Sequence, residues 1–384
     1  MTNEFTSSQP LIPIAILTGF LGSGKTTLLN CVVRQPAFSD TLVIINEFGE
    51  ISLDHLLVTQ SNEIVVTEMD SGCICCSIRG DLARTLREIG WRFSREGKRK
   101  FKRVMIETTG LADPAPIIHT LMTDDFIASR YRLDAVITTV DSVNGMQTLH
   151  RHPEAIKQVA VADRLILTKN DLIDETQLTD LQHRLARLNP TAQQLRVLNG
   201  ETDGQALFGA RLFFLDQKAP DVLGWLNESA YAGTIKQAGN ASDTFRYQPI
   251  TGKLSKQRFQ KKQKVAQQDI YGHDDHIRAF SFTFDTPIEP ELFDQWLGLL
   301  MAFKGPDILR VKGMLNLKHR SGPIIIHGVQ HIFHPPVELA EWPSEDHRTR
   351  IVFITRDIDR SVIERTFDRF VSTGTEAFST GTGV

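Results

Sequence analysis

The chain has 384 residues, of which 41% are hydrophobic and 23% charged, so it is long enough for two or three globular domains. Its formal net charge of -3 argues against a nucleic-acid partner, because nucleic-acid-binding domains are usually basic. No apolar run approaches the roughly 18–20 residues that cross a bilayer, and the N-terminus lacks the basic start of a secretory signal. We therefore expect a cytoplasmic protein without a membrane partner.

Short apolar runs alternate with amphipathic stretches over residues 11–215. The apolar runs predict strands at Ile12–Thr18, Thr41–Asn46, Glu63–Glu68, Arg103–Glu107, Leu133–Val140, Arg164–Lys169 and Gln193–Val197. Several runs are apolar at nearly every position, as strands buried on both faces are. Helical spacing of apolar residues between the runs completes a strand–helix alternation. This order predicts an α/β fold with a doubly wound, mostly parallel sheet.

The composition changes over residues 216–276, where a basic stretch at Thr251–Lys264 predicts an exposed linker or mobile insertion. Beyond it, alternating and helical patterns predict a smaller C-terminal α+β domain over residues 277–372. Its predicted elements are strands at Arg278–Phe284, Ile308–Leu317, Pro323–Phe333 and Arg350–Thr355, and helices at Glu289–Phe303 and Arg360–Val371. Residues 1–10 are predicted to be an N-terminal extension, and residues 373–384 a flexible tail.

The clearest motif is the run Gly-Phe-Leu-Gly-Ser-Gly-Lys-Thr from Gly19 to Thr26. It matches the phosphate-binding loop G-x-x-x-x-G-K-[ST] and lies between a predicted strand and a predicted helix. Glycines let such a backbone wrap a phosphate with its N–H groups pointing inward. We expect Lys25 to reach the β- and γ-phosphates and the Thr26 hydroxyl to ligate Mg²⁺. The other predicted nucleotide contacts in this run are Gly19, Gly22, Ser23, Gly24 and Thr27.

A second nucleotide segment follows the predicted strand at Arg103–Glu107. A phosphate loop needs an acid at the end of a neighbouring strand, directed toward Mg²⁺, and Glu107 is the candidate, acting through water. Lys25, Thr26 and Glu107 are thus the predicted catalytic residues. Gly110, three residues after this acid, is expected to present its backbone N–H to the γ-phosphate.

Base selection is predicted at the sequence Thr-Lys-Asn-Asp from Thr168 to Asp171. Guanine presents two adjacent donors that one carboxylate can accept, and adenine lacks this pair, so Asp171 would select guanine. The stem of Lys169 can lie over the face of the base. The usual first residue of such a motif is Asn, and Thr168 in its place is expected to weaken one contact.

Three of the four cysteines, Cys73, Cys75 and Cys76, fall within four residues. Thiolates in a turn can converge on Zn²⁺, and Co²⁺, Ni²⁺ or Cu(I) also suit these donors. Three thiolates leave a fourth position, for which Glu47 and Glu50 are candidates. Buried small side chains or redox thiols are the alternative interpretation of this cluster. Cys31, on the helix after the phosphate loop, is expected to be a plain core residue.

Taken together, these motifs resemble the CobW family of P-loop GTPases, the metal-insertion and metallochaperone class related to HypB and UreG. The resemblance rests on five N-terminal segments, Gly19–Thr27, Asn46–Glu50, Cys73–Cys76, Glu107–Pro114 and Thr168–Asp171. It continues into the second domain through Leu309–Gly313, Gly328–Gln330, Trp342–Pro343 and Arg350–Asp357.

The resemblance implies a protein that binds GTP, hydrolyses it slowly, and holds Zn²⁺ or a related divalent ion at Cys73, Cys75 and Cys76. It also implies that the nucleotide state controls delivery of the metal to a client protein. Two other functions stay open: a metal sensor or store with vestigial nucleotide binding, and a P-loop phosphotransferase. The sequence leaves the client, the physiological metal and the choice between monomer and homodimer open.

Overall fold

The computed structural model describes residues 11–46, 66–68, 77–92, 94–95, 98–99, 101–208, 226 and 276–379. Within these ranges the strands form two large sheets and a short hairpin, β4 (Ser94–Arg95) with β5 (Lys98–Arg99). The predicted linker lies almost entirely outside the described residues, and the domain boundaries stay a prediction. No helix in the described ranges is long and apolar enough to cross a membrane.

The first sheet carries seven described strands in the order β3-β2-β6-β1-β7-β8-β9. They are β1 (Ile12–Gly19), β2 (Thr41–Asn46), β3 (Val66–Glu68), β6 (Arg103–Thr108), β7 (Tyr131–Asp141), β8 (Arg164–Thr168) and β9 (Gln193–Arg196). Every pairing between neighbours is parallel. The predicted α/β fold class with a parallel sheet is therefore confirmed.

Helices connect these strands and cover the sheet. They are α1 (Lys25–Val33), α2 (Ser77–Arg92), α3 (Ala115–Thr123), α4 (Asp125–Ala128), α5 (Gly145–Arg151), α6 (Pro153–Val161), α7 (Glu175–Leu188) and α8 (Gly204–Leu207). The central strand β1 shows why both faces need a cover. Ile14 and Ile16 pack into one apolar cluster with α2 and α3, while Ala15 and Leu17 pack into another with α1. Successive side chains of a strand point to opposite faces, so an all-apolar strand requires two apolar layers.

The second sheet is antiparallel, with the order β10-β15-β11-β12-β13 and β14 paired to β12. Its elements are β10 (Ile277–Phe284), α9 (Pro290–Lys304), β11 (Ile308–Leu315), β12 (Ile324–Val329), β13 (Ile332–Phe333), β14 (Val337–Glu338), β15 (Thr349–Arg356) and α10 (Arg360–Ser379). An aromatic core joins the sheet to the two helices, with Phe282 and Phe353 on the strands and Trp296 and Phe367 on α9 and α10. The predicted α+β character of this region is confirmed.

Two predicted elements of the second sheet differ from the observed ones. The strand expected at Pro323–Phe333 is divided into β12 and β13, because Gln330 adopts the left-handed conformation with φ of 54°. A left-handed residue reverses the chain between antiparallel strands, and apolar alternation does not reveal it. The last helix runs to Ser379 and so continues beyond the predicted end at Val371.

Arg310 on β11 joins the second sheet to the first. Its guanidinium is buried and donates hydrogen bonds of 2.6 Å to the carbonyl oxygens of Val161 and Ala162, at the C-terminal end of α6. It also pairs with Asp163, which accepts a hydrogen bond of 2.9 Å from the N–H of Val136. A cation at the carbonyl end of a helix is favourable, and here it also neutralises a buried carboxylate.

The surroundings of Arg310 hold further buried ionisable groups. Burial tends to raise the pKa of Asp163, but Arg310 and Lys312 together hold it below its usual value. Burial lowers the pKa of Lys312 well below its usual value and that of His334 to about 4. His327 and His334 stack with ring centroids 5.1 Å apart, and burial keeps the pKa of His327 well below its usual value. Both histidines are therefore neutral at pH 7.

Replacing Arg310 by Met should destabilise the protein by roughly 3–5 kcal/mol, because Asp163 would remain buried without its main counter-charge. The matched control is Arg320→Met, since Arg320 pairs with Glu338 at the surface, where an ion pair contributes about 0–1 kcal/mol. The free energy of unfolding of both variants, from urea titrations monitored by circular dichroism, tests this. Equal losses in the two variants would contradict a special role for Arg310.

Candidate nucleotide-binding site

The predicted phosphate loop leaves β1 at Gly19 and enters α1 at Lys25. Gly22 and Gly24 have φ of 70° and 91°, a conformation that only glycine adopts without strain. A Cβ on Gly19 would lie 2.4 Å from the carbonyl oxygen of Thr139 on β7. The glycines of the motif are therefore required by the backbone path of the loop itself.

Lys25 reaches back into the loop that precedes it. Its Nζ donates to the carbonyl oxygens of Gly19 at 3.0 Å and Phe20 at 3.3 Å, and the residue is buried. The ammonium group thus lies within the turn of the loop, where positive charge and the N-terminus of α1 favour an anion. This arrangement suits the predicted contact with phosphate.

Two neighbouring strands brace the loop through Ser23. The Ser23 hydroxyl lies 2.6 Å from that of Thr139 on β7, and the Thr168 hydroxyl donates to the Ser23 carbonyl oxygen at 2.9 Å. Thr168 is the residue that departs from the usual Asn of the base-selecting motif. Its side chain connects β8, which leads into the predicted base-selecting segment, directly to the phosphate loop.

Thr26 and Glu107 meet beside the loop. The Thr26 hydroxyl donates to Glu107 Oε1 at 2.7 Å, and Glu107 is buried. The contact follows from the sheet order, because β6 pairs with β1 and Glu107 is in register with Leu17. A hydroxyl and a carboxylate are both ligand types that Mg²⁺ prefers, so the pair fits the predicted magnesium site.

Gly110 lies directly against the phosphate loop. A Cβ at this position would be 2.7 Å from the backbone nitrogen and 2.8 Å from the Cα of Leu21. Only glycine therefore permits so close an approach of the two backbones. The contact places the loop after β6 against the phosphate loop, as the predicted contact of Gly110 with the γ-phosphate requires.

The predicted base-selecting residues follow the end of β8. Lys169 has φ of 56°, and its Nζ forms a 2.8 Å ion pair with Asp141 at the end of β7. Burial tends to raise the pKa of Asp141, but hydrogen bonds from Lys169 and Asn144 keep it below its usual value. Asp171 is exposed at this edge of the sheet and accepts no hydrogen bond from the described residues.

Sequence reasoning missed two contributors to this region. Asp141 orients Lys169, and its position directly after the predicted strand Leu133–Val140 was the signal that could have identified it. Asn170 donates to the carbonyl oxygens of Leu167 at 2.9 Å and Val197 at 3.2 Å, which joins β8 to the segment after β9. No pattern in the sequence connects Asn170 to Val197, because strand order decides that contact.

The predicted metal ligands Cys73, Cys75, Cys76, Glu47 and Glu50 lie outside the described residues. The strands that precede them are described: β2 ends at Asn46, β3 ends at Glu68, and Ile45 pairs in parallel with Glu68. The chain therefore leaves both strands at the same edge of the sheet, the edge that carries the phosphate loop. Among the described residues, no group of three or more His, Cys, Asp or Glu side chains is arranged to hold a metal ion.

Cys31 corrects one expectation. It is half-buried rather than a core residue, and its thiol lies 3.4 Å from the carbonyl oxygen of Asn199. The described surroundings of Cys31 also include Gly200, whose Cβ, if it had one, would lie 2.9 Å from the sulfur. The turn after β9 covers this side of α1, which helical spacing of apolar residues could not predict.

The site geometry agrees with two family comparisons. Residues 13–196 match the CobW/HypB/UreG nucleotide-binding domain, and residues 277–371 match the cobalamin synthesis protein CobW C-terminal domain. The chain belongs to the CobW family. The family resemblance predicted from the motifs is thereby confirmed, and the first domain is a GTPase-type nucleotide-binding domain. The roles of the individual site residues stay predictions.

Relatives within the CobW family are similar over nearly the whole chain. The zinc chaperone YjiA of Escherichia coli is 29% identical over 356 residues, which are 93% of this chain and 98% of the relative. Its zinc-bound crystal structure superposes with a TM-score of 0.64 at 26% identity, covering 94% of this chain and 99% of the other. A zinc-bound triple variant, in which one glutamate and two cysteines are alanine, gives a TM-score of 0.65 at 26% identity and the same coverage.

Replacing Thr26 by Ala should weaken the Mg²⁺-dependent part of GTP affinity by at least about tenfold, because the hydroxyl is the predicted direct ligand. Isothermal calorimetry with and without Mg²⁺ measures that part. Thr179→Ala, at an exposed position on α7, is the control. An unchanged Mg²⁺ dependence in Thr26→Ala would place the magnesium ligand elsewhere.

Replacing Asp171 by Asn should reduce GTP and GDP affinity by about tenfold or more, because an amide offers one acceptor oxygen where the carboxylate accepts two donors of guanine. Affinity for ATP should not fall. Competition binding with guanine and adenine nucleotides tests the change, and Asp180→Asn on the exposed face of α7 controls for the lost charge. If both variants bind GTP equally well, Asp171 does not select the base.

Proposed function

We propose that this protein is a GTP-hydrolysing zinc chaperone that binds metal at Cys73, Cys75 and Cys76 and transfers it to a client protein under the control of GTP hydrolysis. The observation that carries the proposal is that the strands leading into the two predicted sites end at one edge of the sheet. Thr26 and Glu107 are 2.7 Å apart there, and β2 and β3 end at the same edge just before Glu47 and the cysteine cluster.

Hydrolysis of GTP would proceed by attack of water on the γ-phosphorus while its bond to the bridging oxygen breaks, giving GDP and phosphate. Lys25 would stabilise the charge that develops on the phosphate oxygens, and Gly110 would donate its N–H to the γ-phosphate. Mg²⁺, held by Thr26 and through water by Glu107, supplies further charge stabilisation when bound. With no base assigned to the attacking water, we expect a slow rate of about 10⁻⁴–10⁻² s⁻¹, as in unassisted GTPases.

Zinc is the proposed metal because the relative YjiA is named a zinc chaperone and crystallised with Zn(II). In this chain Glu47 follows β2 directly, and Cys75 and Cys76 are adjacent. Three thiolates and a carboxylate would complete a tetrahedral zinc site, and Co²⁺ or Ni²⁺ could occupy the same donors.

The delivery step would depend on the segment between Asn46 and Glu50. If GTP and Mg²⁺ draw this segment toward the phosphate loop, Glu47 changes its distance from the thiolates, and hydrolysis reverses the change. Such coupling is a free energy shared by both sites, so metal must alter GTP affinity by the same factor by which GTP alters metal affinity. The client would be a metal-dependent protein of the cytoplasm, where thiols stay reduced.

Two other functions predict different behaviour. A metal sensor with vestigial nucleotide binding would hold zinc equally well with or without GTP. A phosphotransferase would pass the γ-phosphoryl group to an acceptor and leave the cysteine cluster without a role. The contact between Thr26 and the buried Glu107 favours a working magnesium site over a vestigial one.

Zinc affinity should differ between the GTP-bound and GDP-bound protein by about 5–150-fold, corresponding to roughly 1–3 kcal/mol of coupling. Competition with a chromophoric zinc chelator measures the affinity in each nucleotide state. Cys75→Ser should nearly abolish tight binding and leave GDP affinity of the metal-free protein unchanged, while Cys31→Ser, which is outside the Cys73–Cys76 motif in the sequence, should bind zinc normally. Identical zinc affinities in all nucleotide states would contradict regulated delivery.

A further inference from the structure

Gln158 is a buried amide on α6 that neither the motifs nor the proposed function use. Its side chain is 1% exposed, and it lines a cavity of about 230 Å³ between the phosphate loop, the end of β7 and the helices α5 and α6. The cavity wall also includes Phe20, Leu21 and Ser23 of the phosphate loop. A buried polar side chain needs partners, so the contacts of Gln158 indicate what it holds in place.

The amide nitrogen of Gln158 donates to two carbonyl oxygens of the loop after β6. The distances are 3.2 Å to Gly110 and 3.0 Å to Ala112. Because only the nitrogen can donate, these two bonds decide which way the amide points. Its Oε1 is buried and has no hydrogen-bond partner in the described part of the chain.

A neighbouring residue of α6 holds the same loop at its far end. Lys157 forms a 3.1 Å ion pair with Asp113, while Gly110 at the near end lies against the backbone of Leu21. The loop from 110 to 113 is therefore fixed from two sides, by α6 and by the phosphate loop. The N–H of Gly110 belongs to the peptide group between Thr109 and Gly110. Two contacts of Gly110 set the direction of this N–H: its backbone packs on Leu21, and its carbonyl oxygen accepts the hydrogen bond from Gln158.

We propose that Gln158 is a positioning residue for GTP hydrolysis. By holding the carbonyl groups of Gly110 and Ala112, its amide keeps the N–H of Gly110 directed toward the γ-phosphate. The inference rests on the proposed function, because it needs hydrolysis at this phosphate loop. GDP has no γ-phosphate, so its binding does not depend on the direction of this N–H group.

Gln158→Met keeps the length and volume of the side chain and removes the donor. We expect kcat for GTP hydrolysis to fall about tenfold or more, since misdirected donors are costly in phosphoryl transfer, while the Kd for GDP changes less than twofold. Gln147→Met is the matched control, because Gln147 is exposed on α5 and should change neither quantity. Thermal unfolding of both variants reports whether the fold is kept.

Gln158→Glu adds a readout that a merely structural role would not move. An ionised carboxylate would repel the two carbonyl oxygens, whereas the protonated acid has one O–H that can donate to either of them. Burial and the facing carbonyls should raise the pKa of the introduced acid above its ordinary value of about 4.3. The ratio of variant to wild-type kcat should therefore rise at least about threefold as the pH falls from 8 to 6.

Other ionisable groups face this region and must not be mistaken for the introduced acid. They are Asp141 on the cavity wall, paired with Lys169, the pair of Lys157 with Asp113, and His152, whose ring contacts Phe20 with centroids 4.4 Å apart. All of them are present in the wild type and in Gln158→Met. The ratio of variant to wild-type kcat should therefore not vary with pH for Gln158→Met.

The outcomes separate the inference from the proposed function. If the wild type does not hydrolyse GTP, the proposed function fails. If the wild type hydrolyses GTP and Gln158→Met retains its kcat, the positioning role is wrong. It is also wrong if kcat and GDP affinity fall together, or if the Gln158→Glu ratio is as independent of pH as that of Gln158→Met.

Discussion

The parallel direction of all seven described strands in the first sheet is the constraint on which the site depends. Parallel strands have their carboxyl ends at one edge of the sheet. Segments that follow different strands are therefore close in space even when they are far apart in the sequence. Gly19, Glu107 and Thr168 each end or nearly end a strand at this edge. The apolar layers on both faces stabilise the sheet, and its edge remains for polar chemistry.

A second consequence of the sheet is that α6 contacts both the site and the other domain. Its residues Lys157 and Gln158 hold the loop after β6, and its C-terminal carbonyl groups accept hydrogen bonds from Arg310. A helix is a rigid element, so residues along it keep their positions relative to one another. The helix thus connects the loop after β6 with the second sheet.

The proposed function requires two kinds of metal ligand, one for Mg²⁺ and one for Zn²⁺. Hard oxygen donors, the Thr26 hydroxyl and the Glu107 carboxylate, suit Mg²⁺, whereas the soft thiolates of the cysteine cluster suit Zn²⁺. Glu47 is proposed for both settings, since it follows β2, which ends at the nucleotide edge, and its carboxylate is the predicted fourth ligand of zinc. This shared position is the physical reason to connect hydrolysis with metal transfer.

The sequence by itself determined the fold class and the motifs, because strand runs, the glycine loop and the thiol cluster are local patterns. It predicted Lys25, Thr26, Glu107 and Asp171 from spacing alone. Only the tertiary structure decided the partners of Asp141, Asn170 and Gln158, the exposure of Cys31, and the burial of Arg310. Those contacts depend on which strands become neighbours and on where a left-handed residue such as Gln330 reverses the chain. Strand order is set by packing of the whole sheet, so no local pattern in the sequence records it.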